Sequence, residues 1–384
     1  MKAIVTGMVA TYPVGGVAWD YGQYALGLER LGFEVYYLED TGLESYNPEA
    51  RAYGSAYDYG LAFLQRSMAE LSPTLGRRWH ARTPDGATHG LPFDDFRDVV
   101  AEADVFLNVS GSALMRDEYL PCRNKVLIDT DPGLTQLRNF PQWDARPSWM
   151  GTHGYRAHDH FFTYAELIGT AQCTLPTLGL AWQPTRPPVV PELWRAKPTG
   201  ERWTTVMSWR ELKPIDYQGR RYGGKEVEFE RIEPLPRHTS APLEIAVGGN
   251  APTERWRSLG WSVIDSQAVS ACPNDYRSYI EGSRGELSVA KNTYVATHCG
   301  WFSCRTACYL AAGRPAVVQD TGFSQLFCCG DGVVAFRDRD GAAAALERVE
   351  ADYAMHARAA REFAEAYFAS ETVLGSLLER VGVG

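Results

Sequence analysis

Residues 275–327 read DYRSYIEGSRGELSVAKNTYVATHCGWFSCRTACYLAAGRPAVVQDTGFSQLF, and the order of parts within this stretch decides the fold class. Residues 276–282 have the pattern of a short helix, and 285–291 alternate like a strand ending on Lys291. A Gly/Trp/Ser loop at 297–303 leads into a helix over 306–312, in which Ala307, Leu310 and Ala311 recur at helical spacing. Gly313 stops that helix, and Ala316, Val317 and Val318 form the apolar run of a buried strand. The sum is helix, strand, anion-sized loop, helix, strand. Ser303 stands at the N-cap position, so the free N–H groups of the next turn point into the loop beside Lys291, His298 and Arg305. A diphosphate is the guest such a loop suits; the plainer reading is one more βα unit with a capped helix and a solvated Arg.

The segment resembles the donor-binding half of GT-B glycosyltransferases. Thr297-His298-Cys299-Gly300-Trp301 followed by Ser303 is similar to the nucleotide-sugar signature of the plant-type family. Ala311-Ala312-Gly313-Arg314-Pro315 before an apolar strand is similar to the helix-Gly-Pro-strand of the family-4 type. In those families a Glu about five residues before this Gly binds the nucleotide ribose. Cys308 occupies that position here.

With 384 residues the chain exceeds one ordinary core, so two domains are expected. A net charge of −9 argues against a nucleic-acid or anionic-membrane surface, whereas a small phosphorylated ligand needs only a few local cations. The chain opens directly on a strand at Lys2-Ala3-Ile4-Val5, and no apolar run is long enough to span a bilayer, so the expectation is a cytoplasmic protein. None of the eight cysteines forms a C-x-x-C pair; Cys299, Cys304 and Cys308 read as small buried thiols rather than metal ligands.

From the N-terminus, strand 3–6, loop 7–19, helix 20–31, Gly32 and strand 34–38 make a βαβ opening. The loop is too long for G-x-G-x-x-G, which excludes a dinucleotide reading. Asp20, at the expected helix start, is either an N-cap or a catalytic base. A helix near 57–71 belongs to the acceptor side, where Tyr53, Tyr57 and Tyr59 are candidates to stack on a sugar or aromatic acceptor.

Residues 125–133 read as another strand ending in two carboxylates, Asp129 and Asp131, which alternation places on one side of an extended chain, where either a catalytic role toward an acceptor hydroxyl or an Asx-turn into Pro132-Gly133 accounts for them. His153, His158 and His160 match no zinc spacing, so no metal is expected; His158 is a candidate base. Prolines at 176, 184, 187, 188, 191 and 198 mark a stiff junction. A second strand-first unit begins at Trp203, and two helices, over 341–369 and 371–381, close the chain.

The expected architecture is α/β, a GT-B pair of Rossmann-like domains facing a cleft: an acceptor half over 1–185, a donor half over 200–345, and helices over 346–384 packing back on the first half. The resemblance implies transfer of a sugar from a nucleoside diphosphate sugar, without metal or other cofactor, to a small-molecule or saccharide acceptor, with a homodimer possible. It places Gly15 and Gly16 at the donor phosphate. Arg210 after the first donor-half strand and Lys225 opening its first helix fall where family-4 enzymes hold the diphosphate, and Gly322-Phe323 where a loop meets the sugar hydroxyls. The donor set is thus Gly15, Gly16, Arg210, Lys225, Lys291, His298, Trp301, Ser303, Arg305, Thr306, Gly322 and Phe323; the catalytic candidates are Asp20, Asp129 and His158. Two rivals remain: a nucleotide-sugar 2-epimerase, which needs several carboxylates and histidines in the cleft, and a GT-B protein that has lost catalysis.

Overall fold

The computed structural model describes residues 1–145, 152–209 and 213–383. Its first sheet takes eight strands: β1 (Lys2–Thr6), β2 (Glu34–Glu39), β5 (Trp79–Arg82), β6 (Thr88–Gly90), β7 (Val105–Val109), β8 (Lys125–Asp129), β9 (His160–Thr163) and β10 (Trp182–Pro184). Two further short strands, β3 (Ser45–Asn47) and β4 (Ala52–Gly54), pair as a separate hairpin. The sheet order is β10-β9-β8-β7-β1-β2-β5-β6, parallel throughout except for β6 at one edge. Helices α1 (Gly15–Arg30), α2 (Asp58–Leu71), α3 (Phe93–Glu102) and α4 (Phe140–Asp144) accompany it.

The second sheet is wholly parallel. Its strands are β11 (Trp203–Ser208), β14 (Leu243–Gly248), β15 (Ser262–Asp265), β16 (Gly285–Ser288), β17 (Ala316–Gln319) and β18 (Val333–Phe336), in the order β15-β14-β11-β16-β17-β18; β12 (Ile215–Tyr217) and β13 (Arg220–Tyr222) form a hairpin beside it. The associated helices are α5 (Lys225–Ile232), α6 (Thr253–Leu259), α7 (Gln267–Ser270), α8 (Pro273–Gly282), α9 (Asn292–Thr297), α10 (Cys304–Ala311), α11 (Arg339–Ala351), α12 (Tyr353–Tyr367) and α13 (Ser370–Arg380). Strands buried on both faces explain the apolar runs at Ala3-Ile4-Val5 and Ala316-Val317-Val318, all six fully or nearly fully buried.

Strand order reverses between β1 and β7 in one sheet and between β11 and β16 in the other. Ligands bind at such switch points, outside the carboxyl ends of the strands. The two carboxyl edges face each other, because α1 of the first unit packs on α8 of the second, with the Trp19 Nε1–H donating to the Pro273 carbonyl at 2.8 Å. The chain crosses from the first unit to the second near Val189, and α13 returns to lie on α1. The outgoing and returning segments are tied main chain to main chain: Val189 N–H donates to the Phe368 carbonyl and Ser370 N–H to the Val189 carbonyl, each at 2.7 Å.

Three local readings need correction. Helix α1 begins at Gly15, not at Asp20, so Asp20 is in its second turn and caps nothing; packing against α8 overrides the poor helix propensity of the two leading glycines. Residues 292–297 form the short helix α9, between the strand expected to end at Lys291 and the loop expected from Thr297; β-branched Thr and Val weaken the helical signal there. The terminal segment is three helices, interrupted at Asp352, whose side chain caps α12 by accepting from Met355 N–H.

Candidate active site in the inter-domain cleft

Ser303 is in extended conformation ahead of α10, as an N-cap residue must be, although its side chain makes no capping bond. The N–H groups of the first turn are therefore available to a guest. Trp301, Ser303, Thr306 and Phe323 line one pocket at this helix start, together with Ser288 and Val289 at the carboxyl end of β16. Lys225, the first residue of α5, lines an adjoining pocket that shares Ser288 and Val289. The candidate donor residues on α5, on α10 and in the loop before α10 thus converge on the switch point of the second sheet.

The cradle is held rigid by a group the sequence reading missed. Glu228, buried one turn into α5, accepts from Asn292 Nδ2 and Gln319 Nε2, both at 2.7 Å, while Asn292 Oδ1 takes Gly223 N–H at 3.0 Å. These bonds clamp the Gly223-Gly224 loop, and Lys225 behind it, to α9 and to the end of β17. A carboxylate among the apolar residues of a core-facing helix was the available signal, since buried charge demands partners.

His298 closes α9 in the left-handed region at φ 54°, an uncommon conformation for a non-glycine residue, and its Nε2 accepts from Gln325 Nε2 at 2.8 Å. Gly322, at φ 102°, passes directly under the imidazole: a Cβ there would sit 3.1 Å from His298 Cδ2. The Gly322 N–H is taken by Asp320 Oδ1, and the Phe323 ring packs in the cluster of Phe302 and Phe327.

Across the cleft, α1 presents Asp20 to the start of α10. Its carboxylate is partly accessible but walled by protein, with the Cys304 thiol donating to it and the Arg305 and Lys225 charges nearby. Burial dominates and raises its pKa to about 6, against the pull of those three groups. Cys304, read from sequence as a packing thiol, is thus a partner of the candidate base. Lys291 and Tyr294 reach the other way, both to the Asp131 carboxylate, and Trp301 Nε1–H donates to the Thr130 carbonyl at 3.0 Å while its ring lies 4.3 Å from that of Tyr294. Lys291 is therefore a cross-cleft ion pair, and Asp131 serves that pair rather than an Asx-turn.

The remaining candidates are placed elsewhere. Arg305, 8% exposed, turns back over the sheet: Nε–H donates to Glu286 at 2.7 Å, Nη1 to the Val206 carbonyl at 2.6 Å, and Nη2 to Ser288 Oγ at 2.5 Å. Gly15 and Gly16 lie at the contact between the two units: a Cβ on Gly15 would come within 2.2 Å of the Cys272 carbonyl, and Gly16 N–H donates to Ser270 Oγ. The missing side chain of Gly15 admits a neighbouring backbone, and a Cβ on Gly16 would lie 3.0 Å from the Tyr276 ring. Asp129 is buried at the end of β8, accepting from Thr135, Gln136 and Thr163 at 2.7 Å each; burial, outweighing those bonds, raises its pKa to about 6. It orders the loop that carries Thr130 and Asp131. Arg210 lies outside the described residues. Cys308, at the expected ribose position, is buried against α1, its Sγ 3.9 Å from Gln23 Nε2.

His158 is likewise a scaffold residue, with Nδ1 donating to the Tyr155 carbonyl at 2.6 Å and Nε2 accepting from Asn108 at 3.0 Å. Burial lowers its pKa to about 4, so the imidazole is neutral. Because the folded value lies below the ordinary ~6.5, its stabilisation is complete above about pH 6.5 and is lost as pH falls toward 4. That contribution is expected to cost about 2 kcal/mol at pH 5 relative to pH 7. Denaturant titrations at the two pH values check it: the pH-dependent difference should shrink by this amount in His158→Gln.

Among the described residues no helix is long and apolar enough to cross a membrane, and no group of three or more His, Cys, Asp or Glu side chains is arranged to hold a metal. The paired Rossmann-like sheets with a cleft between their carboxyl edges are the GT-B architecture, and solved structures share it over nearly the whole chain. HepE from Anabaena, determined with UDP-glucose, superposes with a TM-score of 0.57 at 10% identity, covering 100% of this chain and 99% of its own. AviGT4, a glycosyltransferase of avilamycin A biosynthesis, gives 0.56 at 13% identity, covering 99% and 97%. Sucrose-phosphate synthase from Thermosynechococcus elongatus gives 0.51 at 13% identity, covering 99% of each chain. No curated protein matches by sequence. Residues 230–379 match the family described as glycosyl transferase-like. The fold is therefore that of GT-B glycosyltransferases, and within it residues 230–379 are similar to the glycosyl transferase-like family.

Proposed function

We propose that the protein moves a sugar from a nucleoside diphosphate sugar to the hydroxyl of a small-molecule or saccharide acceptor in the cytoplasm, with Asp20 as the base. The observation that carries this reading is the Asp20 carboxylate facing the start of α10 across the cleft, its pKa raised to about 6. At neutral pH it is ionised yet basic enough to take a proton. The acceptor O–H proton passes to Asp20, the acceptor oxygen bonds to the anomeric carbon, and the bond from that carbon to the diphosphate oxygen breaks. A single displacement of this kind inverts the anomeric centre.

The departing diphosphate gathers negative charge. The N–H groups opening α10 and the Lys225 ammonium are placed to stabilise it, a role that needs no bound metal. HepE, which shares the fold, was determined with UDP-glucose, in keeping with such a donor. The epimerase reading would draw on Asp20, Asp129 and His158 together, and the last two are committed to buried hydrogen bonds, which favours transfer.

A thermal-shift series with UDP, dTDP, GDP and ADP tests the donor half of the proposal, since a ligand that binds only the folded state raises Tm. One of the four should raise it, and Lys225→Ala should need roughly tenfold or more nucleotide for the same shift. No shift with any of them would remove the donor assignment. Size-exclusion chromatography with light scattering would detect a homodimer.

A further inference from the structure

We infer that Tyr53, braced by Tyr12 and Tyr46, is the platform on which a ring of the acceptor stacks, flat apolar face down; this rests on the transferase reading above. Among the described residues only three large apolar side chains are exposed, and apart from Met1 at the chain end they are Leu43 and Tyr53, on one segment. Tyr53 is 59% exposed on β4, with the Tyr46 ring at 5.2 Å and the Tyr12 ring edge-on at 6.1 Å. The other two tyrosines singled out from sequence are committed elsewhere. Tyr57 is buried, its hydroxyl donating to the Leu43 carbonyl, and Tyr59 packs against the core.

The platform is built rather than loose. Glu39, buried at the end of β2, accepts from Ala10 N–H at 2.8 Å, Thr11 N–H at 2.6 Å and Thr11 Oγ1 at 2.7 Å. Ser45 Oγ donates to the Ala10 carbonyl, and Tyr46 N–H to the Thr11 carbonyl. These bonds fix the loop carrying Tyr12 to the hairpin carrying Tyr46 and Tyr53. The whole assembly follows the carboxyl end of β1, on the ligand side of the sheet. At the hairpin tip Arg51, at φ 53°, pairs with Asp265 at the end of β15, so the hairpin spans the cleft mouth from one unit to the other.

A polar rim stands at the same carboxyl edge. Ser110, held in the left-handed region at φ 61°, places its hydroxyl 2.6 Å from that of Thr130. A rigid, exposed aromatic face fits a ring with a flat apolar face, which a pyranose and a phenol share.

Saturation-transfer NMR on the full chain tests this with two probe sets, the methyl glycosides of glucose, galactose and mannose, and phenol with 4-nitrophenol. The nucleotide thermal-shift series is run on the same samples. One probe set should bind, its affinity falling about tenfold in Tyr53→Ala and persisting in Tyr53→Trp, with the nucleotide response unchanged in both variants. Glycoside binding identifies a sugar acceptor and phenol binding an aryl one. Binding by neither set, or equal binding to Tyr53→Ala, overturns the inference while a nucleotide response keeps the donor reading standing. An absent nucleotide response beside Tyr53-dependent ring binding strikes the donor reading alone.

Discussion

Asp20→Asn is expected to lower turnover about a thousandfold while leaving nucleotide binding nearly unchanged, because the substitution removes a proton acceptor and little else. The amide keeps the volume of the carboxyl and can still meet the Cys304 thiol, so the fold at the start of α10 should persist. The pH dependence gives a second readout. With a folded pKa of about 6, wild-type kcat/KM should rise with pH on an acid limb near 6 and level off above 7. In Asp20→Asn that limb should vanish from the residual activity. An unchanged limb, or retained turnover, would assign the base to another group. The same raised pKa carries a stability consequence of opposite sign to that of His158. Holding a carboxylate above its ordinary value disfavours the charged fold, so Asp20 weakens the protein as pH rises through 4 to 6, and Asn should relieve part of that cost.

The second large effect is on stability, at Arg305. Glu286 is 0% exposed, with Oε1 taken by Arg305 and Oε2 without a hydrogen-bond partner. Arg305→Ala leaves that carboxylate buried and uncompensated, which costs about 3–5 kcal/mol. Urea titration should show the midpoint falling accordingly, or the variant failing to accumulate folded. The double variant Arg305→Met with Glu286→Leu should recover most of the loss, since it removes both charges and fills the space. Non-recovery would mean that Arg305 matters through its bonds to the Val206 carbonyl and Ser288 rather than through charge. Arg305 also raises the local positive potential at Asp20, so the recovered double variant should move the acid limb of the rate profile upward.

The order of elements around residues 275–327 was legible because strands buried on both faces and a helix between them leave strong, distinct periods. The site was less so. Arg305 looked like a solvated cation beside a loop, yet its spacing to Cys308, Tyr309 and Ala312 puts it on the buried face of α10, and the Glu in the middle of a buried strand at 286 announced the need for a partner. Asp20 was misplaced at a helix start because Gly15-Gly16 reads as a loop; only the neighbouring unit, absent from any local window, makes those glycines helical. Asp131 and Lys291 are 160 residues apart in sequence, and nothing local joins them. The exposed Tyr53 and buried Tyr57 could not be told apart by composition, since both belong to the same aromatic-rich segment.

The mutual tie at Val189, Phe368 and Ser370 constrains how substrates enter. Two chain segments cross between the halves at one place and are stitched to each other there, so they act as a single paired spindle rather than as two independent tethers. Parting of the halves is then a swing about that spindle, with little room for sliding or twisting. The contacts Asp131–Lys291, Trp301–Thr130 and Arg51–Asp265 are the latches that such a swing must release. Two of the three are ion pairs, so moderate salt should speed substrate entry without loosening the spindle itself.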